Sequence, residues 1–167
     1  MKPLIVVSSK TGNTRVIARA LQDALGACGY VNAADMPEDL ADYNPIVLCF
    51  WCDRGMAPED MAAAAAKIRA RDIACFATLG GDPTSEQARA WMHKTSAQLV
   101  AAGEGNTLKT EFLCRGRIDP AVFEMMTAKA GGKVTPERER VRRQSEAHPD
   151  RLDTLAAIQA YKSAFGS

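Results

Sequence analysis

No apolar run in this 167-residue chain approaches the length of a membrane-spanning helix, about 18 residues; charge or proline interrupts each one first. Neither sign of charge is in excess. The 21 Lys and Arg stand against 20 Asp and Glu, a net of +1, which gives no overall reason to expect nucleic acid or an anionic membrane as a partner. Histidine is scarce: His93 and His148 are isolated, and no Cys/His spacing resembles a zinc site, so no metal is expected. Two nucleotide signatures are missing as well. There is no G-x-G-x-x-G, and no Lys-Ser or Lys-Thr pair follows a glycine as in a nucleoside-triphosphate loop. Met1-Lys2-Pro3 runs directly into a strand pattern without the look of a secretory leader, and the cytoplasm is the expected location.

What is present suits a soluble globular domain, with 47% hydrophobic and 25% charged residues in a length expected to form one domain. Cysteines number five, an odd count. Cys49, Cys75 and Cys114 fall inside strand-like runs and read as reduced, buried thiols. Cys49 and Cys52 form a C-x-x-C, but they straddle a strand end, where residues three apart point to opposite faces, so dithiol chemistry is not expected.

Apolar runs alternate with helical patterns. Strands are expected at about 3–8, 31–35, 45–51, 72–78 and 107–114, and helices at about 13–28, 58–70, 84–102 and 149–165. This alternation implies an α/β fold with a parallel sheet. Ile46 to Trp51 and Ile73 to Ala77 are almost continuously apolar, as central strands covered on both faces should be. Residues 120–147 break the rhythm as a 28-residue insertion between the last strand and last helix, longer than α/β connections usually are. It holds a possible short helix, Ala121 to Lys129, a Gly131-Gly132 break and the charged run Pro136 to Arg143. From Lys133 to Arg151, six basic residues face four acidic ones. The plain reading is a solvated helix laced with opposite charges; the sharper one is a segment folding over a ligand's edge to dock a protein partner. Nucleic acid is not favoured there, because aromatics are not interleaved with the charge.

Three segments leave strands where an open parallel sheet binds ligands. Ser9-Lys10-Thr11-Gly12-Asn13-Thr14 follows the first strand and opens a helix. Gly12 permits close backbone approach, and hydroxyls and free helix N–H groups suit a monophosphate; an ordinary capped βα turn is the alternative. Trp51-Cys52-Asp53-Arg54-Gly55 offers an indole as a plate for a planar ring, or a core tryptophan. Thr78-Leu79-Gly80-Gly81-Asp82 offers a glycine-rich loop, or a simple turn.

At these residues the chain resembles the flavodoxins. Ser9 to Thr14 match that family's [ST]-x-T-G-N-T phosphate loop at every fixed position, Trp51-Cys52-Asp53 resembles its W-G-D loop, and Gly80-Gly81-Asp82 resembles its x-G-D loop. The resemblance covers residues 1 to about 119 and resumes at the last helix. It implies one flavodoxin-like domain over residues 1–167, a doubly wound five-stranded sheet ordered 2-1-3-4-5 with helices on both faces, and noncovalent FMN. The phosphate would go to residues 9–14 and the ring to 51–55 and 78–82.

The chain departs from the family at the ring end. The aromatic residue that usually stacks on the ring, three positions after the G-D pair, is Ser85, and Cys52 replaces a glycine whose peptide meets the ring's N5. A side chain at Cys52 makes positive φ costly, and Gly55 offers an alternative place for that flip. With Arg54 in the ring loop and a near-neutral chain, the reduced flavin is expected to be less strongly reducing than in the family at large. The leading expectation is an FMN electron carrier between redox partner proteins that dock near residues 120–147. Alternatives are an FMN-dependent reductase or reductase accessory, since Trp-x-Asp-Arg-Gly and Thr-Leu-Gly-Gly-x-Pro resemble a branch that includes accessory proteins of bacterial bilirubin reduction, and a flavin-free interaction module.

Overall fold

The computed structural model describes residues 1–166. Five strands, β1 (Lys2–Val7), β2 (Gly29–Asn32), β3 (Tyr43–Trp51), β4 (Asp72–Leu79) and β5 (Thr107–Arg115), form one sheet in the order β2-β1-β3-β4-β5. Every pairing is parallel. Six helices accompany them: α1 (Asn13–Leu25), α2 (Glu59–Ala65), α3 (Glu86–Ala102), α4 (Pro120–Lys129), α5 (Pro136–Ser145) and α6 (Arg151–Phe165). This is the doubly wound five-stranded α/β fold the sequence led us to expect.

The sheet's two faces bury separate cores, because side chains alternate along each strand. Leu4, Val6, Ile46, Leu48 and Phe50 join Met61 of α2 and Leu99 of α3 on one face. Ile5, Val7, Val47, Cys49 and Phe76 join Leu21 of α1 and Tyr161 of α6 on the other. Residues 46–50 are fully buried, which is why that run carries no polar residue to reveal a period. The edges are weaker: β2 has four residues, and β5 stays half-buried over most of its length.

Two elements differ from the periodicity reading. The strand expected at 31–35 is Gly29–Asn32 followed by a single 3₁₀ turn, Ala33–Asp35, because β2 takes its register from β1, with Leu4 opposite Gly29 and Val7 opposite Asn32. The helix expected over 58–70 stops at Ala65. Distant residues capture its tail: Asn106 Nδ2 donates to the Ile68 carbonyl at 3.0 Å, and Ala70, at φ 52°, donates its N–H to the Glu104 carbonyl at 2.8 Å. Tertiary hydrogen bonds here override an alanine-rich propensity.

The insertion is a helical hairpin. Asp119 caps α4 and Thr135 caps α5, each followed by proline at the first helical position, and Gly131 and Gly132, at φ 95° and 78°, make the turn between. Helix α5 matches the charge-laced reading, with Arg142 2.6 Å from both Glu139 and Glu146. Helix α6 starts in a capping box between Asp150 and Asp153. His148 lies at this helix start, its Nδ1 2.6 Å from Asp153 Oδ2.

Candidate functional site

The carboxyl end of β1 delivers Ser8 and Ser9. Ser8 extends the ladder by donating its N–H to Cys49 O at 2.9 Å, and its hydroxyl donates to Asp60 Oδ1 at 2.7 Å, fixing the turn against α2. The Ser9 hydroxyl is buried with no hydrogen-bonding partner among the described residues. An orphaned buried hydroxyl costs roughly 1–3 kcal/mol, so such a group marks a missing partner.

Gly12 is the N-cap of α1 in the left-handed conformation, φ 99° and ψ −11°, and no side chain caps the helix. A Cβ there would meet nothing within 4 Å, so backbone conformation rather than space requires the glycine. The first N–H groups of α1 thus lack a side-chain acceptor next to the orphaned Ser9 hydroxyl. Together they fit an anionic group such as a phosphate.

The remaining members of the run have other work. Asn13 accepts from Arg117 N at 3.2 Å and donates through Nδ2 to Arg117 O at 2.8 Å, tethering the chain that leaves β5. A Cβ on Gly116 would lie 2.7 Å from Asn13 Nδ2, so that approach needs glycine. Thr14 is buried, and its hydroxyl lies 2.9 Å from that of Thr78, locking α1 to β4. Thr11 is exposed at the rim, and Lys10 reaches across the groove with Nζ 5.7 Å from the Trp51 ring centroid.

After β3, Cys52 donates its N–H to Thr78 O at 3.1 Å, so the exits of β3 and β4 stay joined beyond the strands. Asp53 and Met56 exchange backbone hydrogen bonds of 2.9 Å around Arg54 and Gly55, at φ 51° and 77°. Two left-handed central residues define a type I′-like turn. Arg54 Nε lies 3.2 Å from Asp53 Oδ1 on a fully solvated side chain, an ion pair worth little. Burial raises the Cys52 thiol above its ordinary value, partly offset by the Gly55 N–H that donates to it and raised further by the Asp53 charge.

After β4, Gly80 is pressed by the chain leaving β5: a Cβ there would lie 2.8 Å from Ile118 Cγ1. Neither Gly80 nor Gly81 has positive φ, so close packing explains Gly80 better than turn formation. Asp82 accepts from the Thr84 hydroxyl at 2.7 Å and N–H at 2.8 Å, and these bonds, with Arg115 at 3.9 Å, hold its carboxyl below the usual range. Ser85, in place of the stacking aromatic, caps α3 by accepting from Ala88 N at 3.1 Å.

The first two loops meet in a groove of about 840 Å³, with Ser9, Lys10, Trp51 and Asp53 on its walls. It runs toward Asn32 and Asp35 beyond β2, and the third loop, Thr78 to Asp82, does not line it. Lys10 to Asp53 are therefore brought together, while Gly80 to Asp82 stand apart beyond the joined β3–β4 exits. Three contributors lie outside the sequence motifs. Asp60 holds Ser8; Arg115 links Asp82 to Gln144 Oε1, 3.2 Å away; Ile118 covers Gly80. Asp60 and Arg115 carried a signal as charged residues beside otherwise apolar runs; Ile118 carried none.

The model for the flavodoxin domain matches residues 4–162. Over 176 aligned positions the chain is 25% identical to the flavodoxin-like domain-containing protein BilS of Clostridioides difficile, covering 98% of this chain and 96% of that one. Among solved structures it is similar to the flavodoxin of Streptococcus pneumoniae TIGR4, at 16% identity and a TM-score of 0.52, covering 93% of this chain and 99% of that one. It is also similar to a flavoprotein of Lactobacillus acidophilus solved in complex with FMN, at 13% identity and a TM-score of 0.53, covering 79% and 99%. At such identities the structural likeness establishes the fold.

Proposed function

The chain belongs to the flavodoxin family, and we propose that it holds FMN at the ends of β1, β3 and β4 and exchanges electrons with partner proteins. The observation that carries this is the orphaned Ser9 hydroxyl beside the uncapped start of α1, donors without a protein acceptor at the exit of β1. Ser9, Thr11 and the first N–H groups of α1 would hold the phosphate. Lys10 supplies positive charge to the same groove, and leaving the Trp51 face would open that indole to a flat ring. Asn13 and Thr14 act as positioning residues, fixing the loop to Arg117 and Thr78.

Bound FMN would supply one- and two-electron transfer; the protein binds the ring, orients it and limits its exposure. Residues 51–55 would border one side of the ring and 78–82 the other. The rigid Cys52–Thr78 link holds these loops at fixed spacing, and Cys52, kept as a thiol by burial, puts no negative charge beside the ring. No helix among the described residues is long and apolar enough to cross a membrane, and the five free cysteines suit the cytoplasm. Adding FMN to flavin-stripped protein tests the reading: bound flavin should lose fluorescence stoichiometrically at micromolar concentration. Unquenched flavin would sink it.

One observation favours a second reading, an accessory to reduction of a bound organic molecule. With Ser85 committed to capping α3, no aromatic side chain from that position covers the β4 side of the ring site, which leaves room beside it for a substrate. Reduced protein that is oxidised by a protein acceptor and by no small molecule would exclude this.

A further inference from the structure

We propose that the α4–α5 hairpin is a docking seat for an acidic protein partner that inserts an apolar side chain between the two helices. This rests on the electron-transfer reading and names the kind of partner. The seat is a groove of about 380 Å³ whose apolar walls come from Ile118, Phe123, Met126 and Val141, with Glu137 and Arg138 also lining it. On the same hairpin Met125, Met126 and Val134 are each about half exposed, and Met126 lines the groove.

Charge selects the occupant. Between residues 117 and 143 there are seven cations and four carboxylates, in a chain whose net charge is only +1. Arg142 and Arg143 are paired with Glu139, and Asp119 is engaged as the cap of α4. That leaves Arg117, Lys129, Lys133, Arg138 and Arg140 without ion pairs among the described residues, against Glu124 and Glu137. A small apolar ligand would fill the groove and leave those cations unanswered. A protein surface with carboxylates around an apolar anchor satisfies both, the charge steering the encounter and the anchor slowing departure.

Ile118 ties this seat to the ring end. It lines the groove, packs on Gly80, and donates its N–H to Ser145 Oγ at 3.1 Å, while Arg115 spans from Gln144 to Asp82. A partner seated in the groove is thus separated from the loop at Gly80 by one side chain.

The test uses FMN-loaded protein, reduced anaerobically and mixed with acidic plastocyanin or basic cytochrome c. In each encounter one electron leaves the flavin and reduces one Cu(II) to Cu(I), or one Fe(III) to Fe(II). Plastocyanin should be reduced about tenfold more slowly at high salt than at low salt, the scale of electrostatic steering. The variant Lys129→Glu/Lys133→Glu/Arg140→Glu should lose about tenfold with plastocyanin and gain with cytochrome c. Val141→Trp, which fills the groove and leaves the cations in place, should weaken binding of fluorescently labelled plastocyanin about tenfold. That binding is read by anisotropy on flavin-free protein, so docking is decided even if the FMN reading fails. Rates and binding indifferent to both variants, while circular dichroism shows them folded, overturn the proposal; so does tighter binding of a single-stranded oligonucleotide than of plastocyanin.

Discussion

The anchor segment, residues 8–14, and the hairpin, residues 115–148, lie at the same end of the sheet and are built by opposite means. In the anchor, side chains are committed inward: Ser8 to Asp60, Asn13 to the Arg117 backbone and Thr14 to Thr78, all at 3.2 Å or less. The hairpin is mostly exposed; the Ile118 N–H on Ser145 and Arg115 on Gln144 close it on itself, and it is fastened to the domain at its base, by the Arg117 backbone on Asn13, Arg115 on Asp82 and Ile118 against Gly80. A small anion has to be met by donors in one fixed geometry, and the anchor's hydrogen bonds, buried at Thr14–Thr78 and part-buried at Ser8–Asp60, supply that fixity. A partner's surface tolerates adjustment, and a hairpin held at its base can supply it.

Breaking the anchor should cost the most. Gly12→Val forces a β-branched residue into φ 99°, a strain of about 1–3 kcal/mol, which corresponds to roughly a five- to 150-fold loss of FMN affinity. Gly131→Ala, also at positive φ but in the hairpin turn, should leave FMN affinity unchanged while lowering helix content. Fluorescence titrations of both variants check the contrast. Equal losses of affinity would mean that the two regions act as one unit.

The junction between the regions comes next. Gly80→Val would drive a side chain into Ile118, where a Cβ already lies 2.8 Å from Cγ1, and overpacking of this kind costs about 1–3 kcal/mol. Ile118→Ala in the same chain should relieve most of that. A double-mutant cycle in urea measures the coupling. Additive effects would show that the hairpin base does not press on the loop at Gly80.

The central strands and the glycine at the start of α1 were legible because each obeys a local rule. Residues 46–50 are apolar because both faces are covered, and Gly12 precedes a helix whose first turn has no side-chain cap. The early end of α2 was not legible: it depends on Glu104 and Asn106, more than thirty residues away, hydrogen bonding with its tail. At the candidate site the hydroxyl run identified the phosphate end, but Asn13 and Thr14 read as ligand-facing when their side chains in fact tie the loop to Arg117 and Thr78. The groove's extension toward Asp35 and its separation from Gly80 follow from packing between loops, which spacing along the chain does not encode.

Acid should separate the two regions with a smaller effect. Arg142, and then Arg143, hold the Glu139 carboxyl at about 2, below the ordinary glutamate value of 4.5. Its folded-state value is depressed, so its contribution is complete above the unfolded value and is lost as pH falls through the folded one, between about 4.5 and 2. The pair is solvated and the effect modest. Amide hydrogen exchange should therefore show α5 opening at pH 2.5 before the strands β3 and β4. Simultaneous exchange in all three would show that the hairpin is no looser than the sheet.

The smallest effect tests whether the ring end belongs with the anchor. Burial raises the thiols of Cys49, Cys75 and Cys114 strongly and those of Cys28 and Cys52 less, and Cys28 and Cys52 alone are not fully buried. At pH 8 iodoacetamide should label these two slowly, slower than a free thiol, because only the thiolate attacks. Cys28 follows α1 at the amino end of β2 and so lies across the sheet from the phosphate turn; it serves as an internal control. Saturating FMN should slow labelling of Cys52 and leave Cys28 unchanged, read peptide by peptide by mass spectrometry. If both slow equally, flavin stabilises the whole domain rather than covering the 51–55 loop. If neither slows while fluorescence shows flavin bound, the phosphate turn holds the ligand but the ring lies elsewhere, along the groove toward Asp35.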